Sequence, residues 1–185
     1  MKILSSILIT ILLVFNGNAQ NQTVEIAGDL MKWHKVELII NGPQTSELAE
    51  QNPFLDYKLD VTFTNGSKTY TVPGFFAADG NSAETSAAKG NVWKVRFRPD
   101  ATGTWNYTVS LRKGKNIVVK NGENLGEPVS ADGVEGSFEI GESDKSGDDF
   151  RAKGRIVNGG DGYFEFQESE EICIKNGADS PENFL

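Results

Sequence analysis

Two stretches of strict alternation dominate the chain. In residues 93–98, Trp93, Val95 and Phe97 fall on one side while Lys94, Arg96 and Arg98 fall on the other. In residues 104–111, Trp105, Tyr107, Val109 and Leu111 alternate with Thr104, Asn106, Thr108 and Ser110. Successive side chains of a strand point to opposite faces, so both stretches predict strands with one buried and one wet face. Pro99-Asp100-Ala101-Thr102-Gly103 lies between them. It supplies a fixed φ, a side-chain acceptor and a residue free to take positive φ. The pair is therefore an antiparallel hairpin or a corner between two sheets. Trp93, Trp105 and Tyr107 are expected in one core shared by two sheets.

The same period recurs elsewhere. Residues 23–26 form a short alternating run, and His34, Val36, Leu38 and Ile40 share one face up to Asn41-Gly42-Pro43, which closes the strand. His34 thus stands at the entrance of a strand on its apolar side. The polar residues 44–53 predict a turn-like segment. Tyr57, Leu59, Val61 and Phe63 alternate with Lys58, Asp60, Thr62 and Thr64, and Asn65-Gly66 then signals a hairpin to a returning strand at 69–72. Residues 74–90 are the longest irregular stretch, and loops of that length are commonly functional or mobile. Further strands are expected at 115–119 and 137–140, with turns over 121–133. This spacing of short strands makes an immunoglobulin-like β-sandwich over residues 20–140 the natural architecture. Residues 141–149 (GESDKSGDD) hold no apolar side chain and predict a linker. Short strands are expected beyond it at 154–157, 162–166 and 171–175.

The N-terminus changes the picture. Met1-Lys2, an apolar run to Phe15 and the small-residue exit at Ala19 describe a secretory signal peptide over residues 1–19. The apolar run is shorter than the roughly 20 residues that span a bilayer, and no later stretch is apolar enough to do so. The product is expected to be secreted or periplasmic. Loss of Lys2 takes the net charge from −8 to about −9, a balance with no general attraction for nucleic acid. The single cysteine, Cys173, rules out an internal disulfide framework. Flanked by Ile172 and Ile174, it predicts a buried, inert thiol. One cysteine and one histidine, His34, cannot build a Cys/His zinc site.

Candidate chemistry is sparse. There is no Gly-x-Ser-x-Gly elbow, no His-Glu-x-x-His and no phosphate loop. No cofactor is expected; Asp79, Asn81 and Glu84, around the bend at Gly80, are the only candidates for calcium. Phe75 and Phe76 are candidates for stacking on sugar, or for plugging the end of the core. Lys94, Arg96 and Arg98 project from one strand face about 7 Å apart. They form either a solvated face guarded against edge pairing or a cationic strip for an acidic polysaccharide, a role that guanidinium forks suit.

Several motifs occur in order: Trp33-His34-Lys35-Val36, Asn52-Pro53-Phe54-Leu55-Asp56-Tyr57 and Val72-Pro73-Gly74-Phe75-Phe76-Ala77-Ala78-Asp79-Gly80-Asn81. Phe97-Arg98-Pro99-Asp100, Gly103-Thr104-Trp105-Asn106-Tyr107 and Gly177-Ala178-Asp179-Ser180-Pro181-Glu182-Asn183-Phe184-Leu185 follow. With these the chain resembles the N-terminal β-sandwich domain, of unknown function, of secreted bacterial proteins similar to glycoside hydrolases, in which a (β/α)8 barrel follows the sandwich. The resemblance implies an all-β sandwich followed by the first short strands of an incomplete barrel over residues 150–185. The resemblance carries over no role for the sandwich itself; the role expected here is a non-catalytic accessory domain that packs on the missing C-terminal barrel, with polysaccharide as its candidate ligand. Alternatives are a remnant of the hydrolase itself, with Asp179, Glu182 and Asn183 beside its active site, or a structural spacer without ligand. For residues 1–185 alone no catalysis is expected. For a longer parent, glycoside hydrolysis is.

Overall fold

The computed structural model describes residues 23–122, 125–160 and 162–174. The predicted signal peptide, and the end of the last predicted strand at 175, lie outside them. Among the described residues eleven strands are formed, and every pair of them is antiparallel. One sheet holds β1 (Val24–Gly28), β2 (Val36–Ser46), β6 (Lys89–Phe97) and β5 (Phe75–Phe76), in that order. The other holds β4 (Lys68–Pro73), β3 (Tyr57–Asn65), β7 (Gly103–Lys113) and β8 (Glu127–Pro128). β9 (Glu135–Ile140) also pairs with β7. A separate pair, β10 (Ile156–Asn158) and β11 (Phe164–Phe166), follows a helical turn at Phe150–Lys153.

β6 and β7 belong to different sheets, so the stretch between them is the corner rather than the hairpin. Alternation then does the rest: Val36, Leu38, Ile40, Trp93, Val95 and Phe97 from one sheet meet Leu59, Val61, Phe63, Trp105, Val109 and Leu111 from the other in one core. Aromatic pairs bridge the sheets. Phe63 stacks on Phe97 with ring centroids 4.2 Å apart, Tyr57 lies 5.3 Å from Trp93, and Trp105 meets Phe97 edge-on at 4.9 Å. Trp93, Trp105 and Tyr107 are all buried in this shared core.

Several local expectations are corrected. Asn41-Gly42-Pro43 does not close its strand; β2 runs on to Ser46 through a register shift between Asn41 and Thr45. Trp93 causes this: its indole N–H donates to the Pro43 carbonyl (3.2 Å), and its ring sits where a Cβ at Gly42 would be, 2.5 Å away. At the first hairpin Asn65 is itself paired, with Lys68, and the two loop residues are Gly66 (φ +56°) and Ser67. The expected strand at 115–119 is a 3-10 turn, Ile117–Val119, that buries only Ile117. It forms because Asn116 takes φ +51° while its N–H donates to Asp56. Within 74–90, Phe75 and Phe76 pair with β6 and Ser82–Thr85 makes one helical turn, and β8 arises within the expected turns. Cys173 is only half-buried.

Candidate functional site

The outer face of β6 is less free than its sequence implies. Register places Glu37 of β2 opposite Arg96. Lys94 Nζ donates to Glu37 Oε1 at 2.9 Å and Arg96 Nε to Oε2 at 2.8 Å, with Lys35 Nζ at 3.9 Å. Burial raises the Glu37 pKa, but the Arg96 and Lys94 bonds and the nearby charges outweigh it, holding the carboxyl below its usual range. Three cations around one anion leave the patch positive. The Arg96 guanidinium lies 5.1 Å over the Phe75 ring and stays 58% exposed. Arg98 is drawn away, its Nε donating to the Trp33 carbonyl. The two phenylalanines therefore divide: Phe76 is buried against Trp93 and Phe54, whereas Phe75 is exposed beside Arg96.

The calcium candidates take part in the bonding of their own loop. Asp79 Oδ1 accepts from the Asn81 N–H at 2.9 Å, and hydrogen bonds led by the Thr85 hydroxyl hold its carboxyl below the ordinary value. Glu84 lies in the helical turn after it. No group of three His, Cys, Asp or Glu side chains among the described residues is arranged to hold a metal ion. Asp179, Glu182 and Asn183 lie outside the described residues.

Two constellations were not visible in the sequence. In the first, His34, fully buried, has Nδ1 3.0 Å from Asp29 Oδ2 and Nε2 3.2 Å from Ser143 Oγ. Acid, imidazole and hydroxyl come in the order of a nucleophilic triad. Asp144 Oδ1 also stands 3.6 Å from Nε2. The cluster joins the segment after β9 to the loop after β1. Beside it Lys32 N–H donates to the Gly141 carbonyl, and Gly141 N–H to Leu30, both at 2.9 Å, pinning the predicted linker to the loop after β1.

The second is a cavity of about 310 Å³ where β4 and the end of β6 meet. Trp33, Tyr70, Thr71, Val72, Phe97, Arg98, Asp100 and Arg155 line it. Asp100, expected only to cap a turn, is buried there. Its Oδ2 takes the Tyr70 hydroxyl (2.7 Å), Lys68 Nζ (3.1 Å) and Arg155 Nη2 (3.1 Å). Burial pushes its pKa up, yet those bonds and charges more than reverse this, and the carboxyl sits below its ordinary value. The groups converge from positions 30 to 55 residues away, so no local spacing announces them.

A family model for a domain of unknown function, DUF5060, matches residues 29–112. That span includes Asp29, Trp33, His34, Glu37, Phe75, Arg96 and Asp100, and ends before Ser143 and Arg155. Among solved structures, a candidate glycoside hydrolase from Bacteroides vulgatus ATCC 8482 is similar at 22% identity and a TM-score of 0.45. The likeness covers 75% of this chain and 20% of that one, so the chain spans about a fifth of that protein's length. No curated protein matches. No helix of the described residues is long and apolar enough to cross a membrane.

Proposed function

We propose that this chain is a secreted, non-catalytic accessory module of a glycoside hydrolase-like protein: an immunoglobulin-like sandwich whose following segment packs on a catalytic barrel. One observation carries the reading. Of the twelve large apolar side chains left exposed among the described residues, six (Phe150, Ile156, Tyr163, Phe164, Ile172 and Ile174) fall in the last 25 of those residues. Apolar surface gathered in one segment marks a face that meets another domain. The dye ANS, which lights up on exposed apolar surface, tests it. Binding to the purified chain is expected to fall by more than half in Phe164→Ser/Ile172→Ser, with the melting temperature unchanged. An absence of dye binding, or a fall in melting temperature of the size that a core change gives, would remove the packing face.

The module also presents the Arg96–Phe75 ledge to acidic polysaccharide. The net positive charge around Glu37 and the exposed ring beneath a guanidinium support this. Binding to a sulfated or uronate polymer should exceed binding to a neutral one and fall as salt rises, because exposed charges are screened beyond about 8 Å at physiological ionic strength. Arg96→Ala/Phe75→Ala should abolish the difference.

A further inference from the structure

The large apolar side chains exposed outside the last segment are Leu48, Phe54, Leu55, Phe75, Val118 and Val119. Phe54, Phe75 and Val118 stand around one groove of about 290 Å³, where the chain crosses from β4 to β5 at Pro73-Gly74. Tyr57, Phe76 and Trp93, all buried, complete its apolar lining. The groove adjoins the first residues of β3. The corner that carries the Asp100 anchor is bonded by Asn65 at the other end of that strand, about 27 Å away by strand rise.

The walls are set before anything binds. Alternation on β5 sends Phe76 into the core and turns Phe75 out, 38% exposed. Phe54, 49% exposed, lies edge-on to Phe76 with ring centroids 6.2 Å apart. Its N–H donates to Asn52 Oδ1 at 2.8 Å, and the Asn52 N–H donates to Asp56 Oδ2 at 3.0 Å. Asp56 Oδ1 accepts from the Asn116 N–H at 2.8 Å, and the Val118 N–H donates to the Leu55 carbonyl at 3.2 Å. Those two bonds tie the Val118 wall to the Phe54 wall. Little ordering is therefore left to be done on binding.

The groove is not purely apolar. Lys58 and Asp60 line it from the outward face of β3, with Nζ 3.6 Å from Oδ2 and both side chains partly exposed. The pair adds no net charge but offers a donor and an acceptor. A hydrocarbon side chain seated here would take water from both ions and return no hydrogen bond. A sugar hydroxyl both donates and accepts, so it satisfies either ion, and the C–H face of a pyranose lies flat against a phenylalanine ring.

We infer that this groove seats one uncharged sugar ring of the acidic polysaccharide held at Arg96, so that the ligand is a chain in which charged and uncharged residues adjoin. Phe75 links the two places, since it lines the groove and carries the Arg96 guanidinium over its ring. The volume is at the small end for ligand pockets, about 300 Å³ upward, and matches a single ring. This assignment rests on the ledge as an anion site, and Phe54 separates the two, because it lines the groove and takes no part in the ledge.

The purified chain is titrated calorimetrically with hexasaccharides at physiological salt. Hyaluronan and κ-carrageenan fragments alternate charged with uncharged residues, oligogalacturonate is charged throughout, and cellohexaose is uncharged. At least one alternating fragment is expected to bind about tenfold tighter than oligogalacturonate. Phe54→Ala should remove that preference and leave oligogalacturonate binding unchanged, while Phe54→Trp, which keeps an aromatic wall, restores it. Arg96→Ala should weaken every acidic fragment. Equal affinity for alternating and fully charged fragments, or a preference undiminished in Phe54→Ala, would overturn the groove and leave the ledge standing. Acidic fragments that do not bind, or that bind Arg96→Ala as well as wild type, would overturn both. Where Phe54→Ala fails to fold, the preference of the wild-type chain decides.

Discussion

Asp100→Asn is the substitution that probes both fold and cavity. The amide keeps the shape and one carbonyl oxygen, which can still accept from Tyr70, and places its NH2 where Oδ1 had no partner. One orphan replaces another there, so the loss comes from the charge. A hydrogen bond to a charged group contributes about 1.5–3 kcal/mol against about 1 for a neutral one, which makes the Tyr70 bond weaker by roughly 0.5–2 kcal/mol. The Lys68 and Arg155 side chains are 39% and 48% exposed, and solvent limits each such pair to about 0–1 kcal/mol. The sum is about 0.5–4 kcal/mol, or roughly 1–16 °C in Tm for a chain of this size. The pH dependence follows from the lowered carboxyl. A group whose pKa is depressed by folding stabilises above its unfolded value, about 3.9, and loses that contribution as pH falls through the folded value. The gap between wild type and Asp100→Asn is therefore widest at neutral pH and closes below about pH 4. Urea unfolding followed by tryptophan fluorescence at several pH values measures it. A variant as stable as wild type at pH 7, or a gap that persists undiminished at pH 3, would refute the reasoning.

Gly90→Ala should cost about 3 kcal/mol or more, since its Cβ would lie 1.9 Å from the Ala78 carbonyl oxygen and backbone cannot yield cheaply; near-native urea stability would contradict the close approach. Glu37→Gln should cost about 1–3 kcal/mol by leaving Lys94 poorly partnered. It should at the same time tighten binding to a sulfated polymer by freeing Lys94 and Arg96, and weaker binding in that variant would count against the ledge.

The strands β3, β6 and β7 were legible because each buries one face, and a period of two records which side chains go in. Alternation records a face, however, and not a sheet. Nothing in residues 93–111 decides whether β7 returns beside β6 or crosses to the other layer. Local turn chemistry misled where a distant ring prevailed: Asn41-Gly42-Pro43 has the composition of a turn, yet packing on Trp93, 50 residues away, makes it a bulge within a strand. The same limit governs the sites. Lys94, Arg96 and Arg98 were visible as a basic row, but the Glu37 carboxylate that pairs with the first two depends on the pairing of β2 with β6. Asp100 looked like a turn residue because its partners, Tyr70 and Arg155, come from elements that only the tertiary fold brings together.

The segment after β9 is held by polar contacts and carries its apolar side chains outward. Gly141 bonds to Leu30 and Lys32, Ser143 to His34, Arg155 to Asp100, and Glu168 to Lys32 at 2.9 Å. All these anchors lie on the loop after β1 or on the corner after β6, at one end of the two-sheet body. The main core, by contrast, contains nothing beyond Ile140. Phe166 is buried, but against Phe150 and the Lys153 side chain of its own segment. Attachment of this kind fixes direction more than it stabilises, because exposed charge pairs contribute little while each large side chain taken from water contributes about 1.5–3 kcal/mol. A neighbouring domain that covered only half of the six exposed residues would gain several kcal/mol, more than the polar anchors together supply to the isolated chain. On the proposed reading, the strong interaction falls to the neighbouring domain and the weak, directional ones to the two-sheet body. In such a design Asp100, Glu168 and His34 set the angle at which the two-sheet body stands against whatever covers that segment.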